Sequence, residues 1–234
     1  VGNSGELNQM EYGREIDAHT AVIRLNDARI RGLLPEQAIM VGNRTTVRLS
    51  NKALLINERI PLDASNSEYI VLGAHQEVKK SLLEKAKKRN KAMPRPDGKQ
   101  HIYLHHTINL RFLHSGGTGL YALPLAASLC REVDLYGFTV DLEMNDWTRY
   151  HSEGRKGHGL KGASVFYQLL ECLGMVKLNS PKRSRLREEG GKDPRVWGAE
   201  VQRAADKELR GQEGPYFKCE RAVGLDGCAP PEPG

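Results

Sequence analysis

Short apolar runs of strand length alternate with stretches of helical period through most of the chain. Residues 21–25, closed by Asn26, have the bounded apolar character of a buried strand. Residues 28–37 are polar and punctuated by glycine and proline, which predicts a loop or short helix. Residues 38–49 read as a strand running into a turn, 52–60 as a further apolar run, and 69–73 as a compact buried strand between polar flanks. Residues 76–91 carry apolar positions at helical spacing among lysines, the pattern of a solvated amphipathic helix. Residues 93–98 break that helix, and a strand resumes at 101–105. Residues 120–130 then read as a buried helix, 133–138 as a strand and 162–174 as an amphipathic helix ended by its glycine. From about Ser180 the chain is rich in Arg, Glu, Gly and Pro. The pattern therefore predicts one domain over 1–178 and a poorly ordered C-terminal tail over 179–234.

Two glycine turns punctuate this pattern, one at residues 2–5 and one at 115–119. Each precedes a helix and a strand, the ingredients of a βαβ unit in which amides at a helix start face a phosphate. The first turn is not GxGxxG and is a weak signal alone. Two such turns on one parallel sheet would put two sets of backbone donors at its carboxyl edge, where ligands bind. The expected fold is α/β: a single Rossmann-like domain with a mainly parallel central sheet flanked by helices.

Composition narrows the partners more than the fold. Hydrophobic content of 39% and charged content of 27% over 234 residues suit one well-buried domain and exclude wholesale disorder. A net charge of +6 favours anionic partners: nucleotides, sugar acids, polyanions or membrane surfaces. The basic stretch 79–99 has no aromatic interleaving and matches no nucleic-acid module, so no nucleic-acid partner is expected. The longest apolar run, 120–130, is too short to span a bilayer, and no signal peptide is visible. The chain starts mid-motif without a Met and reads as a fragment, with any targeting segment upstream. Cys130, Cys172, Cys219 and Cys228 have neither CxxC nor Cys/His metal spacing. Asp141, Glu143 and Asp146 offer a DxD-like acidic group for a metal-dependent transferase, and the preferred reading is a solvated acidic loop with no metal site.

Several motifs, in order, resemble those of the eukaryotic sialyltransferases, glycosyltransferase family 29, which use CMP-sialic acid as donor. The family's long motif is similar to VGNSG at residues 1–5 with Leu7, YGREID at 12–17 with His19, and Arg24-Leu25-Asn26. Its short motif resembles Thr118-Gly119, the helix with Cys130, and VDLYGF at 133–138. Residues 42–48, GNRTTVR, look like the family's G-x-(Lys/Arg)-T-x-x-R stretch. The agreement covers roughly residues 1–174.

The resemblance implies a variant GT-A-like sialyltransferase fold with residues 1–178 as the catalytic domain. It also implies a metal-independent, inverting transfer of sialic acid from CMP-sialic acid, with no cofactor, to a hydroxyl of a glycan on a glycoprotein or glycolipid. The transition state is oxocarbenium-like, so a base must take the hydroxyl proton and donors must stabilise the departing phosphate. By position, Asn3 and Asn26 match CMP-contacting asparagines, Ser4 and Gly5 lie in the donor turn, and Thr118 and Gly119 match the turn that closes on the nucleotide. Amides, hydroxyls and glycine N–H groups suit phosphate and ribose because they donate without adding fixed charge. Read alone, Asn3 and Asn26 are more readily capping or turn residues, and the companion motifs put the donor-binding reading ahead.

Two further motifs are expected downstream: an aromatic/His cluster ending in an acid, and a His with a Glu five positions on. Tyr150 and His151, followed by Ser152-Glu153, look like a degraded first motif, and His158 matches the second as general base. Position 163 is Ala rather than Glu. The bland reading of His158 is a surface histidine in a Gly/Lys loop. Residues 152–158 and 171–174 are more similar to the plant sialyltransferase-like branch. A non-catalytic CMP-binding relative and a transferase of another CMP-activated acid sugar, such as CMP-Kdo, stand as alternatives. In the family the cysteine matching Cys130 bonds one upstream of VGNSG, which implies a disulfide in a secretory lumen. The sequon Asn43-Arg44-Thr45 fits that compartment. The implied setting is the Golgi lumen, as part of a type II membrane protein anchored upstream of this segment.

Overall fold

The computed structural model describes residues 1–26, 28, 30, 35–51, 68–74, 80–92, 102–106, 117–138, 150, 160–181 and 183–184. In chain order these form a 3-10 turn at Gly5–Gln9, α1 (Gly13–Ala18), β1 (Ile23–Leu25), α2 (Pro35–Val41), β2 (Val47–Asn51) and β3 (Tyr69–Ala74). There follow α3 (Lys80–Ala92), β4 (Ile102–His106), α4 (Gly117–Leu129), β5 (Asp134–Tyr136), α5 (Leu160–Cys172) and β6 (Lys177–Asn179). Strands β1 to β4 pair in sequence order, all parallel, and β5 pairs with β6, also parallel.

Residues 1–4 join the two ladders. The Val1 amino group donates to the Ile23 carbonyl at 2.6 Å. On the other side the Gly2 N–H donates to Tyr136 O at 2.6 Å and the Ser4 N–H to Gly137 O at 3.1 Å. Glycine is required at residue 2, since a Cβ there would stand 2.2 Å from the Gly137 carbonyl oxygen. The α/β architecture expected from the pattern, a parallel sheet flanked by helices, is the one observed.

Each sheet face has its own core, as a period-2 strand demands. Leu25, Leu49 and Leu135 pack with Leu120, Leu123 and Leu125 of α4 and Ala163 and Tyr167 of α5. On the other face Leu7, Tyr12 and Ile16, from the 3-10 turn through α1, meet Val22, Val41 and Tyr136. Helix α4 contains Pro124, and its buried apolar length fits the central position it takes against β1 and β2.

Residues 38–49 correct the expected strand. Residues 38–41 end helix α2, and the strand begins only at Val47. An AIMV run suits either state; Pro35 preorganises the first turn, and Gly42, at φ 72°, terminates the helix. Helix α5 closes the same way, with Gly174 at φ 70° and the Met175 N–H reaching back to Leu170 O at 2.9 Å.

Strand β6 was not visible in the pattern, and packing continues beyond residue 178. Arg183 is buried, its Nε 2.9 Å from Glu171 Oε2 and its Nη2 3.1 Å from Gln168 Oε1. The apolar run at 52–60 and the breaker at 93–98 lie outside the described residues, as does the chain beyond Ser184. Among the described residues no helix is long and apolar enough to cross a membrane.

Candidate functional site

Asn26 follows β1 directly, and its backbone is left-handed, φ 54°. Asparagine is among the few side-chain-bearing residues that adopt this region readily. The Asn26 N–H stays in register, donating to Leu49 O at 2.8 Å. Its side-chain oxygen accepts from Thr118 Oγ at 3.1 Å and from the Asn51 N–H at 3.1 Å. Both acceptor positions of Oδ1 are thus occupied, and the amide NH2 is left as the group to offer a ligand.

Asn3 lies on the neighbouring segment. Its Nδ2 donates to Leu25 O at 3.3 Å. Its Oδ1 is buried and finds no hydrogen-bond partner among the described residues. A buried amide oxygen without a donor is costly, and a ligand hydroxyl or amine would relieve it. Tyr150, itself buried, donates its N–H to Asn3 O at 3.2 Å and accepts from Asn8 Nδ2 at 3.2 Å.

Ser4 and Gly5 form the start of the 3-10 turn. Ser4 is its N-cap, its hydroxyl accepting from the Glu6 N–H at 3.3 Å. Thr118 and Gly119 are in the first turn of α4 rather than in a loop before it. The free amides of that turn and the positive end of the helix dipole therefore stand beside Asn26. Gly119 has no room for a side chain: a Cβ would lie 2.7 Å from Tyr167 Oη and 3.0 Å from Phe138 Cε1. Burial pushes the Tyr167 phenol up, so it remains a neutral hydroxyl there.

The geometry brings Asn3, Asn26 and Thr118 together from three distant parts of the chain, with Ser4, Gly5, Gly119 and Tyr150 around them. His151 and His158 lie outside the described residues, as do Asp141, Glu143 and Asp146. Sequence reasoning missed Asn51, whose backbone amide completes the Asn26 contacts, and gave no role to Arg48 or Glu68. Arg48 was visible inside GNRTTVR; Glu68 had no signal.

A second polar cluster lies at the opposite, amino edge of the strands. His19 Nε2 is 3.2 Å from Asp134 Oδ2, Asn179 Nδ2 donates to Asp134 Oδ1 at 3.0 Å, and Lys177 Nζ is 3.6 Å from Asp134 Oδ1. Burial alone would raise the Asp134 carboxyl, but the Asn179 and His19 hydrogen bonds with the Lys177 charge hold it below the usual carboxylate range. A small cavity of about 80 Å³, lined by His19, Cys130, Asp134 and Tyr136 among others, opens beside this cluster. Asn3, Asn26 and Thr118 do not line it.

The Asn3–Asn26–Thr118 group presents the Asn26 NH2 and helix amides without a fixed charge, at the carboxyl ends of parallel strands, and it is the candidate ligand cleft. That chemistry suits a phosphate and a ribose. Among the described residues no three His, Cys, Asp or Glu side chains gather to hold a metal ion.

Comparison with known proteins follows the same lines. Residues 1–93 match the model of glycosyltransferase family 29 (sialyltransferase). Sialyltransferase-like protein 5 of Oryza sativa subsp. japonica is 35% identical over 94% of this chain and 44% of its own length. Sialyltransferase-like protein 1 of Arabidopsis thaliana is 37% identical over 83% of this chain and 38% of its own. The CMP-N-acetylneuraminate-beta-galactosamide-alpha-2,3-sialyltransferase 1 of Homo sapiens is 26% identical over 64% of this chain and 46% of its own. The chain thus spans less than half the length of these curated relatives. A crystal structure of a mammalian sialyltransferase in complex with Gal-beta-1-3GalNAc-ortho-nitrophenol shares the fold, with a TM-score of 0.56 at 24% identity over 77% of this chain and 67% of that one.

Proposed function

The chain belongs to glycosyltransferase family 29, and from that premise we propose that its cleft holds the CMP of an activated acidic sugar for transfer to a glycan hydroxyl. The observation that carries this reading is the Thr118 to Asn26 hydrogen bond, 3.1 Å across 92 positions of sequence, beside the unpartnered Asn3 Oδ1. A strand end and a helix start that meet through a neutral donor leave one further acceptor unfilled, as a ribose hydroxyl requires. The α4 amides stabilise the phosphate as it gains charge on departure.

The donor is CMP-sialic acid, and the acceptor is a glycan on a glycoprotein or glycolipid. The reaction is inverting, with His158 as general base and His151 and Tyr150 as the further catalytic residues. It needs no metal, so transfer continues in EDTA. The working compartment is the Golgi lumen, reached through an anchor upstream of this segment. There Cys130 pairs with an upstream cysteine, and Asn43, exposed after α2, carries the glycan of its sequon.

One observation favours a second reading, a CMP-binding relative without transfer. Ala163, where the resemblance calls for Glu, is buried with Tyr167 and Leu178 in the core, a position that would not tolerate a carboxylate. Labelled transfer from CMP-sialic acid and from CMP-Kdo to a panel of glycan acceptors, with His158→Ala alongside, decides among these. Transfer from CMP-sialic acid that His158→Ala abolishes supports the first reading. Retained CMP binding without transfer supports the second, and transfer from CMP-Kdo alone replaces the donor.

A further inference from the structure

Arg48 and Glu68 form an ion pair almost completely removed from solvent, each side chain 2% exposed. Arg48 Nε donates to Glu68 Oε2 at 2.8 Å, and Nη2 faces Oε1 at 3.4 Å. Its remaining fork turns away from the acid: Nη1 donates to Asn26 O at 3.1 Å and to Ala28 O at 2.7 Å. One guanidinium from the second residue of β2, steadied by a carboxylate at the entry to β3, therefore grips the chain where it leaves β1.

We propose that Arg48 and Glu68 are positioning residues for the nucleotide cleft, holding Asn26 in its left-handed turn so that its side chain meets Thr118 and Asn51. This rests on the reading of that cleft as a CMP site. The argument has three steps. A buried ion pair contributes little net stability over apolar side chains of similar volume, so sheet cohesion alone does not explain this one. The ladder already fixes the Asn26 N–H through Leu49 O, and what the ladder leaves undetermined is the direction in which the chain turns. Arg48 supplies that by taking the carbonyls of residues 26 and 28 at once, with a planar fork that lysine lacks. Its register partner Arg24 does different work, donating at the other strand end to Val41 O at 2.6 Å and Arg44 O at 3.0 Å.

The test replaces the pair by Arg48→Met with Glu68→Met in the full chain, which removes both charges together. Three quantities are read: the urea midpoint, the CMP dissociation constant by calorimetry, and the Asn26 side-chain amide resonance without ligand, assigned by its loss in Asn26→Gly. The expected result is a midpoint near that of the parent, a CMP dissociation constant raised about tenfold, and an Asn26 resonance moved as Thr118→Val moves it. Adding Asn26→Gly to the double variant should then weaken CMP no further, as required of residues acting through Asn26. An unmoved Asn26 resonance, or a loss of affinity additive with Asn26→Gly, overturns the proposal. Should the double variant fail to fold, Arg48→Lys keeps a cation opposite Glu68 while giving up the carbonyl grip, and the same readings decide. If the parent chain binds no CMP, the nucleotide reading falls, and the Asn26 resonance alone judges the positioning role.

Discussion

Replacing Asn26 by glycine and by alanine separates what its backbone does from what its side chain does. Both variants lose the acceptor for Thr118 Oγ and for the Asn51 N–H, each at 3.1 Å. At a half-buried position each bond is worth about 0.5–1 kcal/mol net, so the shared loss is about 1–2 kcal/mol. Alanine must also hold a φ of 54° with a Cβ, which costs about 1–2 kcal/mol more. Glycine avoids that strain but gives the unfolded chain extra freedom worth about 0.5–1 kcal/mol. Alanine should therefore be the less stable variant by roughly 0.5–1 kcal/mol, read as the difference between urea transitions at equal slope. Both should bind CMP about 5- to 30-fold more weakly, the same 1–2 kcal/mol expressed in affinity. If alanine were as stable as glycine, the left-handed turn would not be under the constraint argued here. If Asn26→Gly bound CMP like the parent, the side chain would have no part in the cleft.

Thr118→Val removes one hydroxyl at nearly constant volume and should weaken CMP about fivefold, while Thr118→Ser should stay within about twofold, by calorimetric titration. Gly13→Ala would place a Cβ 2.4 Å from the carbonyl oxygens of Ala38 and Ile39, so α1 and α2 must separate; a loss of about 1–3 kcal/mol is expected from the urea midpoint. Asp134→Asn addresses pH. The Asp134 carboxyl is held below its ordinary value of 3.8, so its stabilisation is complete above that pH and disappears as pH falls through the lower folded value. The parent should accordingly lose stability more steeply than the Asn variant below about pH 3.8, read as thermal midpoint against pH.

How much of this was legible in the sequence depended on the range of the interaction responsible. Residues 69–73 and 133–138 announced strands because a buried parallel strand is a bounded apolar run, and β3 and β5 formed there. The AIMV segment at 38–41 was equally apolar and became a helix end, since the deciding groups were Pro35 before it and Gly42 after it. Punctuation outweighed hydrophobicity. The site followed the same division. Asn3, Asn26 and Thr118 were visible as motif residues, and the structure joins them. Asn51 takes part through its backbone amide, which no residue type reveals. Glu68 lies in the polar flank just before the strand, and its meaning depends on Arg48, 20 positions earlier, having its guanidinium already turned toward it.

The two edges of the sheet divide charge between them, and this bears on why the cleft is where it is. At the amino edge Asp134 is satisfied by His19, Asn179 and Lys177, and Glu15 accepts from Tyr136 Oη at 2.7 Å, so the polar groups there are spent on one another. Between the edges Arg48, near the start of β2, is neutralised by Glu68 at the entry to β3 and turned to the carbonyls of residues 26 and 28, so it offers the cleft no fixed charge. What faces the cleft is dipolar: an asparagine NH2, an unpartnered asparagine oxygen and the first amides of α4. The NH2 and the helix amides stabilise a phosphate as charge grows on it without binding the resulting anion so tightly that it cannot leave, and the Asn3 oxygen suits a ribose hydroxyl. A lysine or arginine introduced at residue 118 should therefore tighten free CMP relative to the parent while slowing turnover. An increase in turnover with that substitution would contradict the argument.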